Sequence, residues 1–224
     1  KDSHTRLSTP VSMPQQSRPA IWGILNVTPD SFSDGGDFVD PVKATAHARR
    51  LLDEGADVLD IGGESTRPGA TPVARQEEID RVCPVIEALR ADDRGIPISV
   101  DTRHAAVAAA ALRAGARIVN DVSAGQDADM FAVVAGSEAR LVLMHMRGTP
   151  ETMQQDPSYE DVVQDIAAHL VARVSAAEAA GIPRARLIAD PGIGFGKTLA
   201  HNLALHRSLE ALSALLPDVP WLLG

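Results

Sequence analysis

From Ala20 onward the sequence alternates between two textures. Short runs rich in Ile, Val and Leu lie at 21–25, 58–61, 96–100, 117–119, 141–144, 187–189 and 221–223, separated by Ala-rich stretches of helical period. The runs are continuously apolar, as strands buried on both faces of a parallel sheet are. The stretches between them read as helices. Asp40 stands as a cap, Pro41 fills the first helical position, and Gly55 closes that segment. Ile79, Val82, Cys83, Ile86 and Leu89 share one helical stripe, which Pro84 is expected to bend. Tyr159, Val162, Val163, Ile166, Leu170 and Val174 share another. Gly55-Ala56, Gly115-Ala116 and Gly181 fall where a helix gives way to the next strand, a place that favours a left-handed glycine.

Seven strands with a helix after each of the first six make a βα repeat. A doubly wound open sheet and a TIM (βα)8 barrel both satisfy that order. Asn26, Asp60, Asp101, Asn120 with Asp121, His145 and Asp190 each close an apolar run. Polar groups at the C-terminal ends of many strands suit a barrel, whose loops share one mouth. A dinucleotide-binding sheet would carry G-x-G-x-x-G after its first strand, where this chain reads NVTPDSFSDGG. A TIM barrel is therefore expected over residues 20–224. A barrel needs eight strands, so its last strand and helices are expected to be absent from this chain. Residues 1–19 are polar and proline-rich, without the apolar core of a signal peptide, and read as a flexible lead-in. Lys1 is no natural start, which points to residues before it.

Composition narrows the function. Of 224 residues, 45% are hydrophobic, enough for one sizeable core. No apolar run approaches the ~20 residues of a membrane span. A net charge of −9 argues against a general nucleic-acid or membrane-surface binder. An anionic small ligand would need local cations or a metal. The single cysteine, Cys83, excludes an internal disulfide and a Cys-based zinc site, and it fits a reducing cytoplasm. The seven histidines are scattered without ligand spacing, so no transition-metal cluster is expected.

Three loops carry candidate chemistry. The first, 26–36, exposes Phe32 outside the apolar pattern. It reads as a cover for substrate, against the plainer alternative of a surface turn. The second, GGESTRPG at 62–69, offers glycine N–H groups and the Arg67 fork to an anion, although a glycine turn with a solvated arginine would look the same. The sixth, DPGIGFGKT at 190–198, nearly matches the nucleotide P-loop. Pro191 replaces its first glycine and has no N–H to give a phosphate, so a flat ligand against Phe195 is the better reading. Asp101, Asn120 and Asp190 end strands three, four and six. Around one mouth they would hold the donor–acceptor edge of a heterocycle, while each taken alone would pass for a helix cap. His145 stands open between a base and a satisfied hydrogen-bonding residue.

Taken together, NVTPDSFSDGG, DIGGESTRPG, SVDT, IVNDVS, LMHMRG and DPGIGFGKT resemble, in order and spacing from Ile21 to Gly224, the dihydropteroate synthase family of pterin-binding enzymes. The resemblance implies a TIM barrel that joins 6-hydroxymethyl-7,8-dihydropterin diphosphate to 4-aminobenzoate, releases pyrophosphate, and is a sulfonamide target. It implies pterin contacts from Asp101, Asn120, Asp190, Met144, Phe195 and Gly194. It places Thr66, Arg67 and Asp30 at the diphosphate or the mobile loops, Phe32 and Pro68 at the aminobenzoate site, and Asn26 on Mg2+. It further implies a cytoplasmic homodimer that uses small-molecule substrates, with no nucleic-acid or membrane partner. The family's Ser-Arg-Lys and later Arg-x-His segments do not occur, so a chain complete at Gly224 is expected to be inactive. A catalytically silent pterin-binding paralogue and a methyltetrahydrofolate corrinoid methyltransferase are the alternatives. The methyltransferase has no need of the first two loops.

Overall fold

The computed structural model describes residues 18–28, 31, 40–65, 72–92 and 94–224. Six parallel strands lie in sequence order: β1 (Trp22–Asn26), β2 (Val58–Gly62), β3 (Ile98–Asp101), β4 (Ile118–Asp121), β5 (Arg140–Met144) and β6 (Leu187–Asp190). Helices return the chain between them: α1 (Pro41–Asp53), α2 (Arg75–Ala91), α3 (Ala105–Ala114), α4 (Met130–Ala135) and α5 (Val162–Ala179). After β6 come α6 (Leu199–Arg207) and α7 (Leu209–Leu215). Several strands run past the apolar runs into polar residues, so that Asp101, Asp121 and Asp190 are the last residues of their strands.

Local chemistry sets the helix starts. Asp40 Oδ1 accepts from Val42 N (2.9 Å) and Lys43 N (3.4 Å), with Pro41 behind it. Pro84 sits inside α2, which continues from Arg75 to Ala91. Tyr159 is not part of α5. Asp161 Oδ1 accepts from Val163 N (2.9 Å) and Gln164 N (3.1 Å), which starts that helix at Val162. Gly55, Gly115 and Gly181 adopt φ of 109°, 122° and 94°, the left-handed turn expected at those helix ends.

The expected seventh strand is reduced to one parallel bridge, Ala189 to Trp221. Ala189 N donates to Pro220 O (2.9 Å) and Leu222 N to Ala189 O (2.9 Å). Among the described residues the sheet is six-stranded and does not close. It is nevertheless curled. Trp22 at one edge and Leu222 at the other pack on the same inner cluster of Val58, Ile118, Val142 and Ile188.

The two faces of the sheet differ because successive residues point to opposite sides. One face carries Leu25, Leu59, Ile61, Val100, Val119, Leu141, Leu143 and Leu187, all buried in the main core with the helices. The inner face is apolar at its base, as just described. Two residues further along each strand it carries Ile24, Asp60, Asp101, Asn120, Met144 and Asp190. All six line one cavity. Ahead of β1, Arg18 grips Asp57 with Nη1–Oδ2 at 2.8 Å and Nη2–Oδ1 at 3.0 Å, and Ile21 N donates to Asp57 Oδ2 (2.8 Å). Residues 18–21 are thereby tied to the start of β2.

Candidate active site

The cavity measures about 580 Å3, enough for a two-ring ligand, and runs along the inner face from Ile21, Trp22 and Leu222 to the C-terminal ends of the strands. Its polar lining comes from Asn26, Asp60, Asp101, Asn120 and Asp190, and its flat apolar walls include Met144 and Phe195. Asn120 Nδ2 donates to Asp60 Oδ2 at 2.9 Å. That bond turns the amide so that its oxygen remains available. Asp60 Oδ1, Asp101 Oδ1 and Asn120 Oδ1 are all buried without a partner. Orphaned buried acceptors are uncommon in folded proteins, and three in one cavity point to missing donors. Asp190 takes a bond from its own loop, Gly192 N to Oδ1 at 2.7 Å.

Electrostatics agree with these unpartnered acceptors. Burial raises the Asp60 carboxyl above its ordinary range. Burial, reinforced by the charges of Asp60, Glu78, Asp121 and Glu64, pushes Asp101 well above it. Asp190 is pushed up to about 6, mainly by burial. A ligand offering N–H groups would relieve all three. Asp121, next to Asn120, faces the other way. It accepts from Ser123 N (2.8 Å), Ser123 Oγ (2.7 Å) and Gly125 N (2.6 Å), the turn-holding role that such residues often play.

The sixth loop packs directly on the end of β5. A Cβ on Gly192 would meet His145 O at 2.0 Å, and φ there is +66°. Gly194 turns away from the cavity. Its N–H donates to Asn202 Oδ1 (3.0 Å) and its carbonyl accepts from Gln154 Nε2 (2.7 Å). Lys197 does not present its ammonium to the mouth, as a P-loop lysine would. Its Nζ lies 3.1 Å from His145 Nδ1, 3.2 Å from His145 O and 2.9 Å from Phe195 O. Burial depresses His145 to about 3, with Lys197 adding to the effect. His145 is therefore a neutral, satisfied partner and not a base.

The second loop begins with Gly63, where a Cβ would crowd Val82 Cγ1 at 2.9 Å and Glu78 O at 3.1 Å. Glu64 then holds the loop base, accepting from Val73 N (3.1 Å) and from Arg103 Nε (3.0 Å) and Nη2 (3.2 Å). Ser65 reaches the cavity. Asp30, Phe32, Thr66, Arg67 and Pro68 lie outside the described residues.

Of the remaining expected site residues, Asn26, Asp101, Asn120, Met144, Asp190 and Phe195 meet in the one cavity, and Gly194 does not line it. Asp60 was not singled out for the site, yet it is central. Its strand-end position was visible, but its link to Asn120 spans sixty positions and depends on strand register.

Unpaired acceptors beside the apolar surface of Met144 and Phe195, in one cavity of a parallel α/β sheet, have the chemistry to receive a flat heterocycle rich in N–H donors. The comparisons narrow the class. The pterin-binding enzyme family model matches residues 22–224. A probable bifunctional folylpolyglutamate synthase/dihydropteroate synthase of Haloferax volcanii is 50% identical over 196 residues, covering 88% of this chain and 23% of the relative. The dihydropteroate synthase of Synechocystis is 45% identical over 208 residues, covering 92% of this chain and 71% of the relative. The Xanthomonas albilineans dihydropteroate synthase structure with 4-aminobenzoic acid superposes with a TM-score of 0.85 at 50% identity, covering 93% of this chain and 73% of that one. The chain belongs to the pterin-binding enzyme family and, within it, to the dihydropteroate synthases. It spans 23% to 42% of the length of its bifunctional relatives.

Proposed function

We propose that this chain carries the pterin-binding centre of a dihydropteroate synthase, a transferase that couples 6-hydroxymethyl-7,8-dihydropterin diphosphate to 4-aminobenzoate. The observation that carries the reading is the set of unpartnered acceptors on Asp60, Asp101 and Asn120 within a cavity of suitable size. Carboxylates and an amide oxygen accept from the N–H groups of an aminopyrimidinone edge, and Met144 and Phe195 lie along the ring. Asp190 joins them as a further acceptor. Gly194 acts through the backbone of the Phe195 turn.

The coupling forms one C–N bond and breaks one C–O bond. The arylamine nitrogen attacks the pterin methylene carbon, pyrophosphate leaves with the bonding pair, and the nitrogen loses a proton to water. Buried carboxylates beside the ring favour the positive charge that develops as pyrophosphate departs. The scheme asks for no protein nucleophile.

Asn26 supplies an exposed amide oxygen at the same mouth. Among the described residues no group of three His, Cys, Asp or Glu could hold a metal alone. A single hard oxygen fits Mg2+ that takes its other ligands from substrate phosphates and water. The ion would neutralise the leaving diphosphate. Thr66, Arg67 and Asp30 are assigned to the diphosphate and its loops, and Phe32 and Pro68 to the aminobenzoate, on their motif positions alone. Sulfonamides, which resemble the arylamine, should compete for that site. No described helix is long and apolar enough to cross a membrane. A cytoplasmic homodimer, with residues 1–19 as a lead-in to one barrel domain, completes the reading. Pyrophosphate release measured with and without 4-aminobenzoate tests it. Release that depends on the arylamine supports the synthase, and pterin binding without release makes the chain a silent paralogue.

A further inference from the structure

The sixth loop has few internal ties, Gly192 N to Asp190 Oδ1 (2.7 Å) and Phe195 N to Gly192 O (3.1 Å), for the glycines it contains. Gly192, Gly194 and Gly196 all adopt positive φ, 66°, 84° and 64°, in a segment of five residues. Glycine confers that freedom and also the freedom to leave it. Yet this loop must keep Phe195 packed on Met144, Val122, Met146 and Met153, a cluster from which Val122, Met144 and Phe195 itself line the pterin cavity. The strongest external tie is Lys197. Its side chain is 4% exposed, and its ammonium has three donors and three neutral acceptors. Two of these, the ring and carbonyl of His145, belong to the residue that follows Met144. The third is the carbonyl of Phe195 itself. With His145 neutral, its Nδ1 accepts when the ring proton is on Nε2.

We infer that Lys197 is a positioning residue for the pterin. It fastens the Phe195 turn to the end of β5 and so holds Phe195 on Met144, fixing the apolar wall against which the ring lies. This rests on the pterin reading of the cavity. The geometry explains why the residue is an amine. A buried cation with no carboxylate among its three contacts is an expensive way to fasten a loop: burial pulls the amine down to about 7, and the charge of Asp190 offsets only part of that. An apolar residue would fill the same space but leave two carbonyls and an imidazole unpaired beside the ring site. Other ties to the loop sit further from the ring. Tyr159 Oη donates to Gly196 O (2.8 Å) and Gln154 Nε2 to Gly194 O (2.7 Å).

The test is a fluorescence titration with pterin-6-carboxylate, run beside steady-state kinetics on the active enzyme. Lys197→Met keeps the length of the stem and removes the donors. The dissociation constant for the pterin should rise about tenfold, and the KM for pterin diphosphate with it. The KM for 4-aminobenzoate at saturating pterin diphosphate should stay within about twofold. Lys197→Arg, which retains donors and charge, should recover part of the loss. His145→Leu removes one acceptor only and should weaken the pterin about threefold, giving a milder variant should Lys197→Met fail to fold. Unchanged pterin affinity in the folded fraction of either variant, with only the amount of active protein reduced, overturns the inference. Equal losses for both substrates do so as well. Absence of pterin binding by the unsubstituted protein overturns the functional reading and this inference together.

Discussion

Replacing Asp101 with asparagine should weaken pterin binding and, at the same time, stabilise the protein. The two effects have different origins. In the complex, Asp101 is read as accepting from ligand N–H groups through an oxygen that now has no partner. A hydrogen bond to a charged group contributes about 1.5–3 kcal/mol, and an amide turned the wrong way also leaves a donor facing a donor. A loss of roughly 2–3 kcal/mol corresponds to a dissociation constant some 30- to 150-fold higher. In the free protein the same carboxylate opposes folding. Burial and the neighbouring charges of Asp60, Glu78, Asp121 and Glu64 raise its pKa, so the folded state resists the charge more than the unfolded chain does. That penalty is absent below the unfolded pKa of about 4 and grows as pH rises towards the raised folded value. Asparagine never carries it. Asp101→Asn should therefore melt higher than the parent at pH 7, and the two should converge near pH 4. Calorimetry supplies both the pterin affinity and the melting curve. Unchanged affinity together with a lower Tm at pH 7 would refute the placement of Asp101 as a desolvated ligand acceptor.

The order of strands and helices was legible because buried parallel strands and their return helices leave separate periods in the sequence. Glycines at helix ends and the Asp40–Pro41 cap marked boundaries through chemistry that acts over a few residues. Strand ends were legible as the polar residues, such as Asp101 and Asp190, that close each apolar run, but that pairing carries through them is set by the register of the neighbouring strand. The segment from Trp221 misled for the opposite reason. It has the hydropathy of a strand, but pairing requires a neighbour in register, and only Trp221 bridges to Ala189. The site divided along the same line. Asp101, Asn120 and Asp190 could be grouped from their strand-end positions. The Asp60–Asn120 bond and the seat of Lys197 on His145 join residues 60 and 52 positions apart, so register and loop packing create them.

Three further outcomes can be checked. Gly192→Ala should disrupt the sixth loop, because the new Cβ would meet the His145 carbonyl at 2.0 Å in a left-handed backbone; pterin titration should show a large loss, and near-normal binding would show the loop to be pliable. Pterin affinity should fall as pH drops below about 6, by up to tenfold per unit, because protonation puts an O–H on one Asp190 oxygen and removes the charge that strengthens its bonds to ligand donors; a flat profile from pH 7 to 5 would remove Asp190 from the contact. Glu78→Gln should stabilise the protein at alkaline pH. Glu78 is fully buried behind Gly63, neither carboxylate oxygen has a partner, and burial foremost raises its pKa from 4.5 to about 7. Its charge thus opposes folding by an amount that grows between those two values and then levels off, reaching about 3 kcal/mol at most. Glutamine keeps the shape without the charge, so the gain should be present at pH 8 and vanish towards pH 4.5. Glu78 does not line the pterin cavity and reaches it through its charge, which helps to raise Asp101, so pterin affinity should hold or improve slightly while the melting temperature moves. A melting curve at pH 8 that is unchanged or lower in the variant would mean that Arg103 and Arg81 already compensate the buried charge.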